Sequence, residues 1–471
     1  MAAPGSGIVR APSISDCGDA PAVIPRCPAP GYKVKPIMAG LLADITPLRV
    51  SPEFRRLWWG QGLASLGGQF TAMAVSLEIH DLTHSTLAVG LVGAFALVPL
   101  IVLGLYGGSW IDSHDRRVIA LIASSVMWCA TIGIALQAWF HVGSVGLLYG
   151  LVAVQSGASA VNMPARSAII PRLVEMRLMP AANALNSATW TIAMMVGPVL
   201  GAATVASFGY QWAYTIDVTT FTAALYALFR LPPIKPQLGG EGTETAAAGG
   251  IRSVIDGFRY LATRPNVRMT FLVDLSAMVL ANPQALFPVV ATDMIGGGDT
   301  TAGWLAAFIA IGSTLAMVLS GPLGRVRRQG RVVLFMVMGW GLSIAGFGVV
   351  LLLVGTHHPP KVVGWAMAAA AVCLIVAGAC DSVSSIFRNT ILQVATPDAM
   401  RGRLQGVFTV VVSGGPNLGK VLSGGAARGL PLANPVGVTV LAGGLLCAAA
   451  VGLLHKATPN FAAYDAEHPQ P

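Results

Sequence analysis

Five ionisable residues, Glu78, Asp217, Asp274, Asp381 and Lys420, stand inside long apolar runs of this 471-residue chain. At membrane depth such a side chain costs at least about 2.5–3.5 kcal/mol on insertion scales, so each is a functional candidate by default. The four carboxylates suit proton coupling, because protonation removes both the charge and the need for a partner. Glu78 falls near the outer end of the first apolar run and Asp217 in the outer part of the sixth, where either can instead reach the interface. Asp274 and Asp381 fall toward the inner ends of the seventh and tenth runs. Counting about 1.5 Å per residue from Leu404 places Lys420 roughly 24 Å along its helix, where a lysine must snorkel, lose its proton or find an anion. The sharper reading has it attract an anionic substrate or pair with a carboxylate. Gln61, Gln69, Gln155, Asn162 and Asn282 are uncharged polar residues in the same runs, suited to hydrogen-bonding a large substrate, although joining helices is the commoner use of such groups.

Other chemistries find little support. His80 and His84 have the i, i+4 spacing of a zinc helix, but they fall in a tight connection between two apolar runs. The six cysteines, at 17, 27, 129, 373, 380 and 447, form no CxxC pair and no zinc-ligand spacing, and four of them read as small buried hydrophobes. The sequence contains no GxxxxGK[ST], so ATP hydrolysis by this chain is not expected. No metal, cofactor or enzymatic activity is expected.

The elements that must position these groups follow from composition. The chain is 54% hydrophobic and 10% charged, against roughly 25% charged in a soluble domain, so acyl chains rather than water are its solvent. A spanning helix needs about 20 largely apolar residues, and twelve segments qualify: 55–79, 86–108, 118–139, 143–165, 184–206, 211–230, 268–291, 301–323, 331–354, 362–387, 404–427 and 433–455. Residues 1–54 read as a disordered and then amphipathic leader, with Met38 a candidate start, and residues 456–471 as a tail. Between the sixth and seventh spans, residues 231–267 form a polar loop whose segment Ile251 to Leu261 has the apolar spacing of an interfacial amphipathic helix. Of the 29 Lys and Arg, all but Lys361, Lys420 and Arg428 fall on one side if the N-terminus is cytoplasmic, which supports an even number of spans with both termini inside. The net charge of +9 therefore reflects membrane topology rather than nucleic acid, which is not an expected partner. Trp58, Trp59, Trp110, Trp212 and Trp365 mark interfaces.

The chain also repeats itself. GGSWIDSHDRRV, from Gly107, matches GPLGRVRRQGRV, from Gly321, at an offset of 214, and Arg166 and Asn183 match Arg388 and Gln405 at an offset of 222. The expected architecture is an all-α membrane protein of two pseudo-symmetric six-helix bundles, 55–230 and 268–455, and parallel repeats of this kind place a substrate path on the axis between them.

These motifs resemble the major facilitator superfamily and, within it, the drug:H+ antiporter-like exporters that include the enterobactin exporter family, over about residues 40 to 457. Gly108 to Arg117 is similar to the superfamily's loop between helices two and three, and Gly197, Pro198 and Gly201 are similar to the antiporter element in helix five, with Ala202 where a last glycine is usual. Phe54 to Trp58, Asp81 to Gly90, Pro164 to Ser167 and Ala182 to Ser187 follow in family order. The resemblance implies gating roles for Gly108, Asp112, Arg116 and Arg117 and for Gly197, Pro198 and Gly201. Ser113 and Asp115 depart from the usual Arg and Gly, and the helix-four region Val152 to Gly157 lacks the arginine found in many proton antiporters.

The resemblance implies a monomeric transporter in a bacterial cytoplasmic membrane. It would export a small or medium amphipathic molecule, a siderophore or a drug, in exchange for protons by alternating access. Two rival readings are an importer of a nutrient and a receptor or scaffold that does not turn over.

Overall fold

In a computed structural model, the structure describes residues 45–113, 115–175, 178–231, 259–319, 326–394 and 398–464, without the side chains of 105–113, 168, 180, 184, 393–394, 398–410 and 413. Most of the leader and of the loop 231–267 with its amphipathic segment, and the tail after residue 464, therefore lie outside the described residues, as does the side chain of Asp112.

Among the described residues, twelve long helices follow in order: α1 (Pro52–Thr83), α2 (Thr86–Ser113), α3 (Arg116–Trp139), α4 (Val145–Leu173), α5 (Met179–Phe208), α6 (Tyr210–Phe229), α7 (Pro265–Leu280), α8 (Gly298–Val318), α9 (Gln329–Val354), α10 (Gly364–Val394), α11 (Asp398–Gly429) and α12 (Pro435–Ala457). Local chemistry sets their starts. Ser51 accepts a hydrogen bond from Phe54 N (3.1 Å) ahead of Pro52, Ser144 caps α4 through Leu147 N (3.4 Å), and Asn434 caps α12 through Gly437 N (2.9 Å). Among the described residues, nine helical segments are long and apolar enough to cross a membrane. Of the other three, α1 carries Glu53, Arg55, Arg56, Glu78 and Asp81, and α11 carries Arg401, Arg403, Lys420 and Arg428, which dilute their apolar character. Large apolar side chains such as Val98, Val318, Leu319, Leu353, Val372 and Leu453 lie on the exterior, as a lipid solvent allows.

The packing repeats with a six-helix period. In the first half α1 lies against α5 and α6, α4 against α2 and α3, and α3 against α6. The second half has the same pairs six helices on: α7 with α11 and α12, α10 with α8 and α9, and α9 with α12. The halves meet through α2 with α11 and through α5 with α8, a pair of contacts that also exchange under that shift. Small residues permit the approach: a Cβ on Gly303 of α8 would lie 2.7 Å from Ala202 Cβ and 2.8 Å from Pro198 O of α5.

Two segments depart from the sequence expectation. The seventh span, expected to be one helix over 268–291, stops at Leu280 and resumes as a 3-10 turn (Gln284–Leu286), a helical turn (Phe287–Val289) and a π turn (Val290–Met294). Pro283 and Pro288 lack the N–H that a continuous helix needs, and Asn282 takes over part of that bonding, its Oδ1 accepting from Gln284 N at 3.1 Å. The second departure is the run after Gly108, expected to be a loop. It continues α2 to Ser113, and α3 begins at Arg116. Asp115 stands where the family has glycine and works as the cap of α3, accepting from Arg117 N at 2.8 Å.

Candidate functional site

In the second half, α7 and α10 bring three charges together. Asp381 and Arg388 are seven residues apart on α10, so both face the same neighbour. Asp274 of α7 forms an ion pair with Arg388 Nη1, while Arg388 Nη2 donates to Asp381 Oδ1 at 3.3 Å. Arg388 is 8% exposed and Asp274 6%, and Asp381 is half-buried. The ion pair borders a cavity of about 40 Å3 that Thr270, Ser385, Asn389 and Val412 also line, more than the roughly 10–15 Å3 one water requires. With both carboxylates ionised the cluster carries one negative charge in excess, which a bound proton cancels. The arrangement is thus able to hold and release a proton beside a cavity.

The matching position in the first half is built differently. Arg166 of α4 is 6% exposed and donates through Nε to Asn162 Oδ1 (3.1 Å) and through Nη2 to Ser124 Oγ of α3 (3.1 Å), while the Ser124 hydroxyl donates to Asn162 (3.1 Å). No carboxylate lies within ion-pair distance of Arg166 among the described residues.

Glu78 and Asp217, which the sequence leaves free to reach the interface, are enclosed by neighbouring helices. Glu78 is 7% exposed and accepts from Tyr214 OH (2.5 Å) and Gln137 Nε2 (2.7 Å), which ties α1 to α6 and α3. Asp217 is fully enclosed, accepts from Thr71 Oγ1 at 2.6 Å, and has no donor to Oδ1 among the described residues. The cause is the tight seam between α1 and α6, where a Cβ on Gly67 would lie 2.6 Å from Asp217 Oδ1.

The neutral candidates divide into two groups. Gln155 donates to Thr131 of α3 at 3.1 Å, Asn162 belongs to the Arg166 network, and Asn282 donates to Pro416 O of α11 at 3.2 Å, so these three join helices. Gln61 and Gln69 are half-buried on α1 and make no side-chain hydrogen bond among the described residues. Lys420 is likewise half-buried, one turn beyond Pro416, with no partner for Nζ among the described residues. Its helix face is opposite that of the exposed Leu418 and Leu422, which turns it toward the bundle interior.

The implied gating residues sit on packing seams. Gly197 and Gly201 bring α5 against Gln69 and Phe70 of α1, and Pro198 offers its carbonyl side to Gly303. Arg117 donates to Phe229 O at 2.6 Å, fixing the start of α3 to the end of α6, and Arg116 is also engaged. Far from these arginines, the halves are joined by Thr86 Oγ1 donating to Gly424 O (3.0 Å), by His80 and Thr292 (3.4 Å), and by Arg428 with Ser85.

A model of the family described as transmembrane secretion effector matches residues 42–470. The chain belongs to that family. The chain is similar to the enterobactin exporter of Shigella boydii serotype 18, with 27% identity over 384 residues, 82% of this chain and 87% of the relative. The enterobactin exporter of Escherichia coli O139:H28 is 26% identical over the same shares. A solved nucleoside transporter superposes with a TM-score of 0.66 at 15% identity, covering 87% of this chain and 99% of the other. A bacterial homologue of the iron transporter ferroportin, in an inward-facing state, gives 0.63 at 14% identity, covering 88% and 99%. The protein is thus a membrane transporter with the major facilitator fold and not an enzyme.

Reasoning from sequence found Asp274 and Asp381 but not what they bind. Arg388 was visible only as half of a repeated arginine pair, and that pair was the signal for Arg166 as well. Tyr214, Gln137, Thr71 and Ser124 carried no sequence signal, because a hydroxyl or amide in an apolar helix is ordinary until its neighbour is known.

Proposed function

We propose that this protein exports a siderophore of the enterobactin kind from the cytoplasm in exchange for protons, as a monomer in a bacterial cytoplasmic membrane with both termini inside. The substrate class rests on the relatives named enterobactin exporters, which match most of this chain and of themselves. The coupling rests on one observation: Asp274 and Asp381 share a single cation, Arg388, at the edge of a cavity. A proton taken up by Asp274 weakens its hold on Arg388 and loosens α7 from α10, whereas one taken up by Asp381, on α10 beside Arg388, leaves the arginine to Asp274 alone and tightens that contact, so the site of protonation biases the bundle between two arrangements. Residues 55–230 rock against 268–455, with the end of α2 (Gly108 and Asp112) and the start of α3 (Arg116 and Arg117) governing the cytoplasmic side and the helix-five element (Gly197, Pro198, Gly201) serving as the moving seam. Gln61, Gln69 and Lys420, which have no protein partners among the described residues, meet the oxygen-rich substrate; Gln155, Asn162 and Asn282 hold the walls of its path. Glu78 and Asp217 serve as secondary proton sites at the α1–α6 seam.

Proteoliposomes with the cytoplasmic face outward and an acidic lumen test this reading. Enterobactin should accumulate several-fold above vesicles lacking the gradient, and Asp274→Asn or Asp381→Asn should abolish the gradient dependence. Equal accumulation with and without the gradient overturns proton exchange, and accumulation only in the opposite orientation makes the protein an importer.

A further inference from the structure

The inner ends of α1 and α6 leave between them an open groove of about 260 Å3, lined by Arg56, Trp59, Leu63, Tyr226 and Arg230 over a floor of small residues. Gly60 forms part of that floor: a Cβ there would lie 2.9 Å from Ala227 Cβ, so the helices touch and the long side chains on either side rise above the seam. The walls are apolar and outward-facing, with Trp59 58% and Leu63 40% exposed. Such surface belongs against acyl chains in a lipid-solvated helix pair.

Its upper edge carries two exposed arginines. Neither Arg56 nor Arg230 has a carboxylate within ion-pair distance among the described residues, and Arg230 is held over the Tyr226 ring at 5.8 Å. Arg117, on the arginine-rich side of the membrane, donates to the carbonyl of Phe229 next to Arg230, so the groove opens at that same level. Guanidinium groups present paired N–H donors that suit phosphate oxygens, and the cytoplasmic leaflet attracts basic residues through its anionic lipids. We infer that this groove binds an anionic phospholipid of the inner leaflet, with its phosphate between Arg56 and Arg230 and its glycerol and upper acyl chain along Trp59, Leu63 and Tyr226. The site depends on the membrane orientation alone and not on which substrate is carried.

Native mass spectrometry of the full chain, equilibrated with equal amounts of phosphatidylglycerol and phosphatidylcholine of identical acyl chains, tests it. The wild type should retain phosphatidylglycerol preferentially. Retention should fall about 5-fold in Arg56→Gln or Arg230→Gln and roughly 30-fold in the double variant, from the worth of one basic residue beside an anionic surface. Arg328→Gln with Arg331→Gln, which removes the same charge elsewhere on the cytoplasmic side, should leave retention within about 2-fold. No preference in the wild type, or equal losses in the two double variants, overturns the site. If the Arg56/Arg230 double variant does not fold, quenching of Trp59 by bromine-labelled acyl chains decides it, read as the difference between wild type and Trp59→Phe. Stronger quenching by the phosphatidylglycerol than by the phosphatidylcholine supports the site, and equal quenching overturns it.

Discussion

Arg388 and Arg166 occupy matching places in the two halves, at nearly the same burial, 8% and 6% exposed, yet they are held in opposite ways. Arg388 meets one carboxylate across the α7–α10 contact and a second on its own helix, whereas Arg166 is held by an amide and a hydroxyl within α3 and α4. The second half therefore carries a locked ion cluster with one negative charge in excess, and the first an enclosed cation stabilised by hydrogen bonds alone. What the repeat specifies is an arginine near the C-terminal end of the fourth helix of each half. Whether it is a switch or a fixed strut depends on what the facing helices supply, because an ion pair is broken by a proton and a neutral network is not.

The strongest way to break this comparison is Arg388→Gln. It strands two carboxylates in the α7–α10 contact, and removing one side of a buried pair costs about 3–5 kcal/mol, so thermal unfolding in detergent should show a large drop and transport should be lost. An unchanged unfolding temperature would mean that the cluster does not hold α7 to α10. Asp274→Asn should cost about 1.5–3 kcal/mol, because Asp381 still compensates Arg388 and only one charged hydrogen bond goes; a loss equal to that of Arg388→Gln would assign the whole compensation to Asp274. At the α1–α6 seam, Thr71→Val removes the donor to Asp217 and should cost about 1–3 kcal/mol by the same measurement, with Asp217→Asn recovering part of it in the double variant. Arg166→Gln should have the smallest effect, under about 1 kcal/mol, since glutamine keeps polar contact with Asn162 and Ser124 and an uncompensated cation is removed. A loss as large as that of Arg388→Gln would reveal a counter-ion to Arg166 and make the halves alike.

Much of the fold was legible before any coordinates. Each of the twelve expected spans corresponds to a helix, and the arginines that define the repeat fall at equivalent helices of a packing pattern that maps onto itself. Apolar length is a local property, so it can be read locally. The misses had tertiary or backbone causes. Pro283 and Pro288 were visible, but a proline in a membrane helix either bends or breaks it, and the outcome at α7 follows from Asn282 reaching Pro416 on α11. The run after Gly108 resembles the superfamily's loop, yet helix α2 carries on to Ser113 and Asp115 caps the next one. Asp217 seemed able to reach the interface, and the close approach at Gly67 enclosed it.

Sequence alone determined the membrane as solvent, the helix order, the arginine-rich side and the twofold repeat, because each depends on the composition of consecutive residues. Tertiary structure decided which charges are partners: Asp274 meets Arg388 across 114 residues, Glu78 meets Tyr214 across 136, and Arg166 receives no carboxylate among the described residues. Electrostatic energy falls off over a few ångströms, and nothing in the spacing of residues along a chain fixes the separation of side chains on different helices.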